Sequence, residues 1–260
     1  MLNLPTTGPW PEPAGCALAL AISERGADHN GITLVVTADS HQAHQLEAEL
    51  KVFAECPVVH FPDWETLPYD PFAPHPDIVS QRLATLASLP DTTQAILVVP
   101  VQTLLQRLCP RRYLDRRSLL VQAGGKLNID SLRQRLVNAG YSAVPQVNDP
   151  GEFAVRGGLI DLYPMGASAP FRLELFDDEV DSIRKFDPET QRSSEPVNKV
   201  ELLPAREFPF DKDAADRFCV EFRRRFEFDP RRCPLFQDAR AGVAASGMEY
   251  YLPLFFDQTS

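Results

Sequence analysis

No apolar run in this 260-residue chain approaches the ~18 residues a membrane-crossing helix needs. The opening stretch MLNLPTTGPWPEPAG has no basic start, and its prolines interrupt any secretory core. Both absences predict a soluble, cytoplasmic protein without a membrane partner. The five cysteines (Cys16, Cys56, Cys109, Cys219, Cys233) are scattered, odd in number and never at zinc-site spacing, so reduced thiols are expected and no metal. The five histidines form no H-E-x-x-H, and His41 and His44, three apart on a predicted helix, read as solvated. No G-x-S-x-G elbow occurs. Basic charge is also short: the net charge is −10 and every third of the chain is acidic, which removes the electrostatic footprint of a nucleic-acid binder.

A working phosphate loop is missing as well. Such a loop needs glycines that expose backbone N–H groups, a lysine for the β- and γ-phosphates and a hydroxyl for magnesium. The one correctly placed segment, PWPEPAGCALAL, has Gly15 but carries Cys16 at the lysine position and Ala17 at the hydroxyl position. Three prolines upstream (Pro9, Pro11, Pro13) remove further donors. No acidic pair closes a buried strand to hold a metal ion. Catalytic residues and cofactors are therefore expected to be absent from this chain.

What the chain does have is secondary-structure grammar of two kinds. Up to about residue 117, short β-branched runs (GITLVVTAD, CPVVHFP, AILVVP) alternate with helical stretches. These include AGCALALAISERG, HQAHQLEAELKVF capped by Asp39 or Ser40, IVSQRLATLASL, and VQTLLQRLCP stopped by Pro110. That alternation predicts an α/β domain with a parallel, doubly wound sheet, its first strand buried on both faces. DWETLPYDPFAPHPD is too rich in proline for regular structure. From 118 to 203 a strand, a Gly124-Gly125 turn, a helix over NIDSLRQRLVNAGY and a series of short strands predict a smaller α+β unit. Asp130 is the expected cap of that helix, with Leu132, Leu136 and Val137 inward. From 204 to 260 a third segment opens with the helix DKDAADRFCVEFRRRFEFD and ends on aromatics that look exposed, as if the chain continued.

Residues 152–164, EFAVRGGLIDLYP, set Arg156 at a strand end before two glycines. In FRLELFDDEVDSI, Phe171, Leu173 and Leu175 share the core face of a strand, and Arg172, Glu174 and Phe176 share the other. Asp177-Asp178 favours the turn of a hairpin, so the acidic run Asp177, Asp178, Glu179, Asp181 needs no cation. Arginine and aromatic residues are enriched at binding hot spots. Arg156 could join the same face, with the glycines letting the chain bend. The alternative is that Arg156 and Arg172 pair with Glu174 or Asp161 as surface salt bridges, each worth ~0–1 kcal/mol.

GEFAVRGGLIDLYP and FRLELFDDEVDSIRKFDPETQ resemble the second domain of the nucleotide-excision-repair protein UvrB. With FPDWETLPYDPFAPHPDIVSQRLATL, ILVVPVQTLLQRLCP and GMEYYLPLFF, the chain is similar to the amino-terminal module of the transcription-repair coupling factor family. The resemblance implies three UvrB-like pieces. They are a 1A-like, RecA/helicase-like α/β domain with a degenerate nucleotide site (1–117), a domain-2-like unit (118–203) and the start of a 1B-like segment (204–260). It implies an adaptor that recruits UvrA to a stalled RNA polymerase, with Arg156, Arg172 and Phe176 at UvrA-contacting positions and Asp161, Glu174 and Asp178 as weaker candidates. It also implies that the ATP- and magnesium-dependent motor, the contacts with polymerase and DNA, and a C-terminal domain that masks the UvrA face belong to a longer parent protein. Half of a helicase motor completed elsewhere is the alternative, and a direct nucleic-acid binder the third.

Overall fold

The computed structural model describes residues 7–8, 15–68, 70, 72–227 and 229–257. Two compact units are interleaved along the chain: Met1–Asp63 with Ser88–Gln106, and Trp64–Ala87 with Arg107–Ser260. This differs from the consecutive division at 117/118 and 203/204 expected from the sequence. The reason is non-local: Trp64 and the helix after it carry side chains whose core partners lie more than a hundred residues on.

In the first unit α1 (Ala17–Asp28), β1 (Ile32–Thr37), α2 (Ser40–Phe53), β2 (Val58–His60) and β3 (Ala95–Pro100) follow the expected alternation. The strands form a parallel sheet in the order β1-β3-β2. Asp39 caps α2, its Oδ1 accepting from the Gln42 N–H at 2.8 Å. Ala19, Ile22, Ala43, Leu46 and Leu50 of the helices pack on Ile96 and Val98 of the sheet. Leu34 and Val36 of β1 line an open cleft and stay about half exposed (50% and 47%), so the strand is not buried on both faces as expected. His44 lies edge-on to the buried His60 ring, 4.7 Å between centroids, and His60 Nδ1 sits 3.0 Å from Glu47 Oε2. Burial pushes the His60 pKa down, against the pull of Glu47.

In the second unit α3 (Pro76–Ser88) presents Leu83 to the core, as its periodicity predicts, and also buries Arg82 completely. The predicted helix VQTLLQRLCP closes early, as α4 (Val101–Leu104) in the first unit, where Leu104 and Leu105 are exposed and bury nothing that would sustain further turns. RRYLDRRS forms α5 (Arg111–Arg117) with Tyr113 and Leu114 buried. Then come β4 (Leu119–Gln122), α6 (Ile129–Asn138) and a run of strands: β5 (Ser142–Ala143), β6 (Glu152–Arg156), β7 (Leu159–Leu162), β8 (Phe171–Phe176), β9 (Glu179–Phe186), β10 (Ser193–Pro196) and β11 (Lys199–Leu202). Asn128, not Asp130, caps α6, accepting from the Ser131 N–H at 2.9 Å; Leu132 and Leu136 face inward but Val137 does not.

Strands β5 to β10 form one six-stranded sheet in the order β10-β9-β8-β7-β6-β5, antiparallel except for β5 with β6, while β4 pairs with β11. The inner face, with Phe153, Ile160, Leu162, Phe171, Leu173, Val180 and Ile183, shares a core with Trp64, Leu83, Leu132 and Leu136. A satellite core forms on α7 (Lys212–Arg225) and α8 (Pro234–Arg240). Phe218 and Phe222 are buried there, and Phe255 stacks on Phe218 at 4.9 Å and on Phe208 at 4.7 Å. Of the terminal aromatics expected to be exposed, Phe255 is buried and Tyr250, Tyr251 and Phe256 are half-buried, beside the buried Met248, Leu252 and Leu254.

One ion pair ties this unit together. Arg82 Nε donates to Glu207 Oε1 at 2.5 Å and its Nη2 to Oε2 at 3.2 Å, both side chains being buried. The Trp64 indole N–H donates to the same carboxylate at 3.0 Å, and the Arg82 guanidinium lies 4.7 Å over the Trp64 ring. Removing one partner of such a pair leaves an uncompensated buried charge. Arg82→Ala is accordingly expected to lower the unfolding free energy by about 3–5 kcal/mol in urea denaturation. A loss no larger than about 1 kcal/mol, the value of an exposed pair, would contradict the burial described here.

Candidate functional site

Arg156, Asp161, Arg172, Glu174 and Phe176, singled out in the sequence, lie on the outer face of the six-stranded sheet. Direct cross-strand pairs share a face, so the register Ala154↔Asp161↔Arg172↔Arg184 is one row across it and Arg156↔Leu159↔Glu174↔Ser182 the next. Beyond a register shift between Glu174 and Leu175, Phe176 pairs with Glu179 at the sheet corner. Asp177 and Asp178 make the two-residue turn, Asp177 at φ 54°. The predicted hairpin is present, with its acidic run at the tip.

Asp161 is the centre of this face, and its side chain has no exposed surface. Arg172 grips it with both prongs, Nε to Oδ1 at 2.7 Å and Nη2 to Oδ2 at 2.9 Å. Arg156 reaches diagonally from β6 and donates through Nη2 to Oδ2. The two arginines are otherwise unlike. Arg172 is mostly covered (16% of its side chain exposed), lies 5.0 Å over the Phe186 ring, and donates through Nη1 to the Gln191 carbonyl at 3.2 Å. The hydrogen bonds to Asp161 raise its pKa further. Arg156 is half exposed. Of the two pairings open in the sequence, Asp161 takes both arginines; Glu174 instead accepts from the Ser182 hydroxyl at 3.1 Å.

Phe176 is 76% exposed, a large aromatic at the corner of a well-packed sheet. Asp178 stands apart at the tip, its carboxylate 3.8 Å from the Lys126 ammonium and its carbonyl accepting from the Leu127 N–H at 2.6 Å. Sequence reasoning missed the layer beneath Arg172. Phe186 packs with Val147 and Ala154 in a small outer cluster, and the alternation of EVDSIRKF could have placed it there. Gln191 (φ 58°) could not be found that way, because its part is played by a backbone carbonyl.

The expected nucleotide segment lies in the other unit. Gly15 has φ +58°, Cys16 precedes α1 without a side-chain cap, and Ala17 begins the helix. The three upstream prolines fall outside the described residues. A cleft of about 770 Å³ adjoins, lined by Gly15, Leu18, Leu34, Val36, Gln42 and Glu49 among others. Among the described residues no group of three metal-ligating side chains is placed to hold an ion, and no helix is long and apolar enough to cross a membrane.

Residues 119–208 match the UvrB interaction domain family. The chain is 48% identical over 240 residues to the transcription-repair-coupling factor of Haemophilus influenzae, an alignment covering 92% of this chain and 21% of that protein. It is 44% identical over 249 residues to that of Escherichia coli (95% and 22%). With that of Staphylococcus aureus it shares 31% over 207 residues (79% and 18%). The chain spans about a fifth of the length of these curated relatives. The face built on Asp161 lies wholly within the matched domain.

The glycines after Arg156 have separate tasks. Gly157 has φ +61° with open space around it, whereas a Cβ on Gly158 would lie 2.8 Å from the Leu175 carbonyl oxygen. Gly157→Ala is expected to cost about 1 kcal/mol through backbone strain, and Gly158→Ala about 1–3 kcal/mol because backbone must move. Thermal melts of the two variants check the order; Gly157→Ala melting lower than Gly158→Ala would contradict it.

Proposed function

We propose, from a chain whose residues 119–208 match the UvrB interaction domain family, that it is a non-catalytic adaptor of transcription-coupled nucleotide excision repair whose outer sheet face docks on UvrA. The carrying observation is the exposed Phe176 on the same face as the half-exposed Arg156, which Asp161 holds in place. An aromatic anchor beside a fixed cation is the residue chemistry of an interface hot spot. Rigid presentation on β6 to β9 lowers the ordering cost of binding.

On this reading the first unit is a RecA/helicase-like domain with a degenerate nucleotide site. Gly15, Cys16 and Ala17 offer neither an ammonium for phosphate nor a hydroxyl for magnesium, so the residues present do not fit a bound ATP–magnesium complex. On the same reading, ATP-driven translocation, contact with RNA polymerase and DNA, and masking of the face by a C-terminal domain belong to a longer parent protein. The setting is the cytoplasm.

Calorimetric titration of the chain with purified UvrA tests the reading, run beside Phe176→Ala and Arg156→Ala. Each variant is expected to lose about 2 kcal/mol of binding free energy, roughly thirtyfold in Kd, with unchanged melting temperature. Full affinity in both variants, or no binding by the unmutated chain, would contradict it.

A further inference from the structure

We infer that the two arginines on Asp161 play different parts: Arg156 is presented to the partner, and Asp161 with Arg172 forms a covered clamp that positions it, while Arg184, exposed at the β9 end of the same row, lies outside the clamp. The inference rests on the docking reading above and specifies what that face recognises.

Asp161 cannot touch a partner, since its side chain has no exposed surface. Arg172 is largely spent internally. Its Nε and Nη2 are on Asp161, its Nη1 is within reach of the Gln191 carbonyl and the Ser193 hydroxyl (3.4 Å), and its flat face covers Phe186. Arg156 engages Asp161 through Nη2 and keeps half its side chain in solvent, which leaves most of its planar fork open to an incoming acceptor. Charge points the same way. Within the Asp161 cluster, one carboxylate between two guanidinium groups leaves one net positive charge, and the exposed member carries it. A free arginine must give up rotamer entropy on binding, and a clamped one has already lost it.

The partner chemistry follows from the spacing. Arg156 and Glu174 occupy the same row two strands apart, and Phe176 lies two residues further along β8. Strand spacings of about 4.8 Å and a rise of about 3.4 Å per residue put the Arg156 and Phe176 backbones roughly 12 Å apart. The face therefore fits a protein surface carrying one carboxylate for the Arg156 fork and, about that far away, an apolar socket for the Phe176 ring. Arg172 and Asp161 need no counterpart on that surface.

Two measurements on the intact chain separate this inference from the docking reading. The first needs no partner: nitrogen-15 relaxation of the arginine side chains in the unmutated chain, Asp161→Asn and Arg172→Lys. Arg156 is expected to be ordered in the unmutated chain and mobile in both variants. Arg156 equally ordered in the variants, or mobile in all three, overturns the clamp. Should Asp161→Asn fail to fold, Arg172→Lys carries the test, because a single ammonium cannot replace the two-pronged grip. The second is a double-mutant cycle of UvrA binding with Asp161→Asn and Arg156→Ala. Asp161→Asn should weaken binding about tenfold, and should cost nothing more once Arg156 is already alanine. An equal loss in both backgrounds overturns the positioning role. If the unmutated chain does not bind UvrA, the docking reading fails while the relaxation data still decide the clamp.

Discussion

A carboxylate with no exposed surface must be compensated, and Asp161 is compensated twice. Desolvating one ionised side chain costs several kcal/mol unless opposite charge and hydrogen bonds replace the lost water. Arg172 alone would suffice for that, with its bidentate geometry and its packing on Phe186. The second arginine is the informative one. Arg156 gains orientation from a charge already neutralised, and the sheet thereby holds an exposed cation still at its surface. The exposed Phe176, the glycine turn that lets β7 approach Leu175 and the hairpin at Asp177-Asp178 complete that face.

The same unit contains a second buried carboxylate, Glu207, solved differently. It meets Arg82 and the Trp64 indole, every group is covered, and no charge is left over for solvent. This pair joins segments 125 residues apart. The contrast between the two sites is a matter of arithmetic. One cation per carboxylate serves packing, and two cations per carboxylate leave one to meet something else. Buried ion pairs contribute little net stability compared with apolar replacements, so their value here is in fixing which segments meet and where a guanidinium points.

Features set by local chemistry were legible in the sequence. A cap at Asp39 or Ser40 for α2, the apolar run of β3, the α6 helix and the Asp177-Asp178 turn all depend on residues within a few positions of one another. Features set at long range were not. Arg82 reads as a polar position on an amphipathic helix until Glu207 is known to face it. Phe255 reads as exposed until Phe208 and Phe218 are seen to stack on it. α4 is shorter than its pattern because its leucines find nothing to pack on. For the proposed docking face, alternation along FRLELF correctly separated the two faces of β8. It could not choose between Glu174 and Asp161 as the partner of the arginines, because register between strands decides that and a one-residue slip would reverse it.

The central claim is that the outer face of β6 to β9, and not the first unit, is what this chain offers to UvrA. Hydrogen–deuterium exchange of the chain with and without saturating UvrA tests it most directly. Protection by UvrA should concentrate at the β6–β7 and β8–β9 turns, around Arg156–Gly158 and Phe176–Glu179, and leave α1, β1 and α2 unchanged. Protection centred instead on residues 15–53, with the two turns unaffected, would contradict the account.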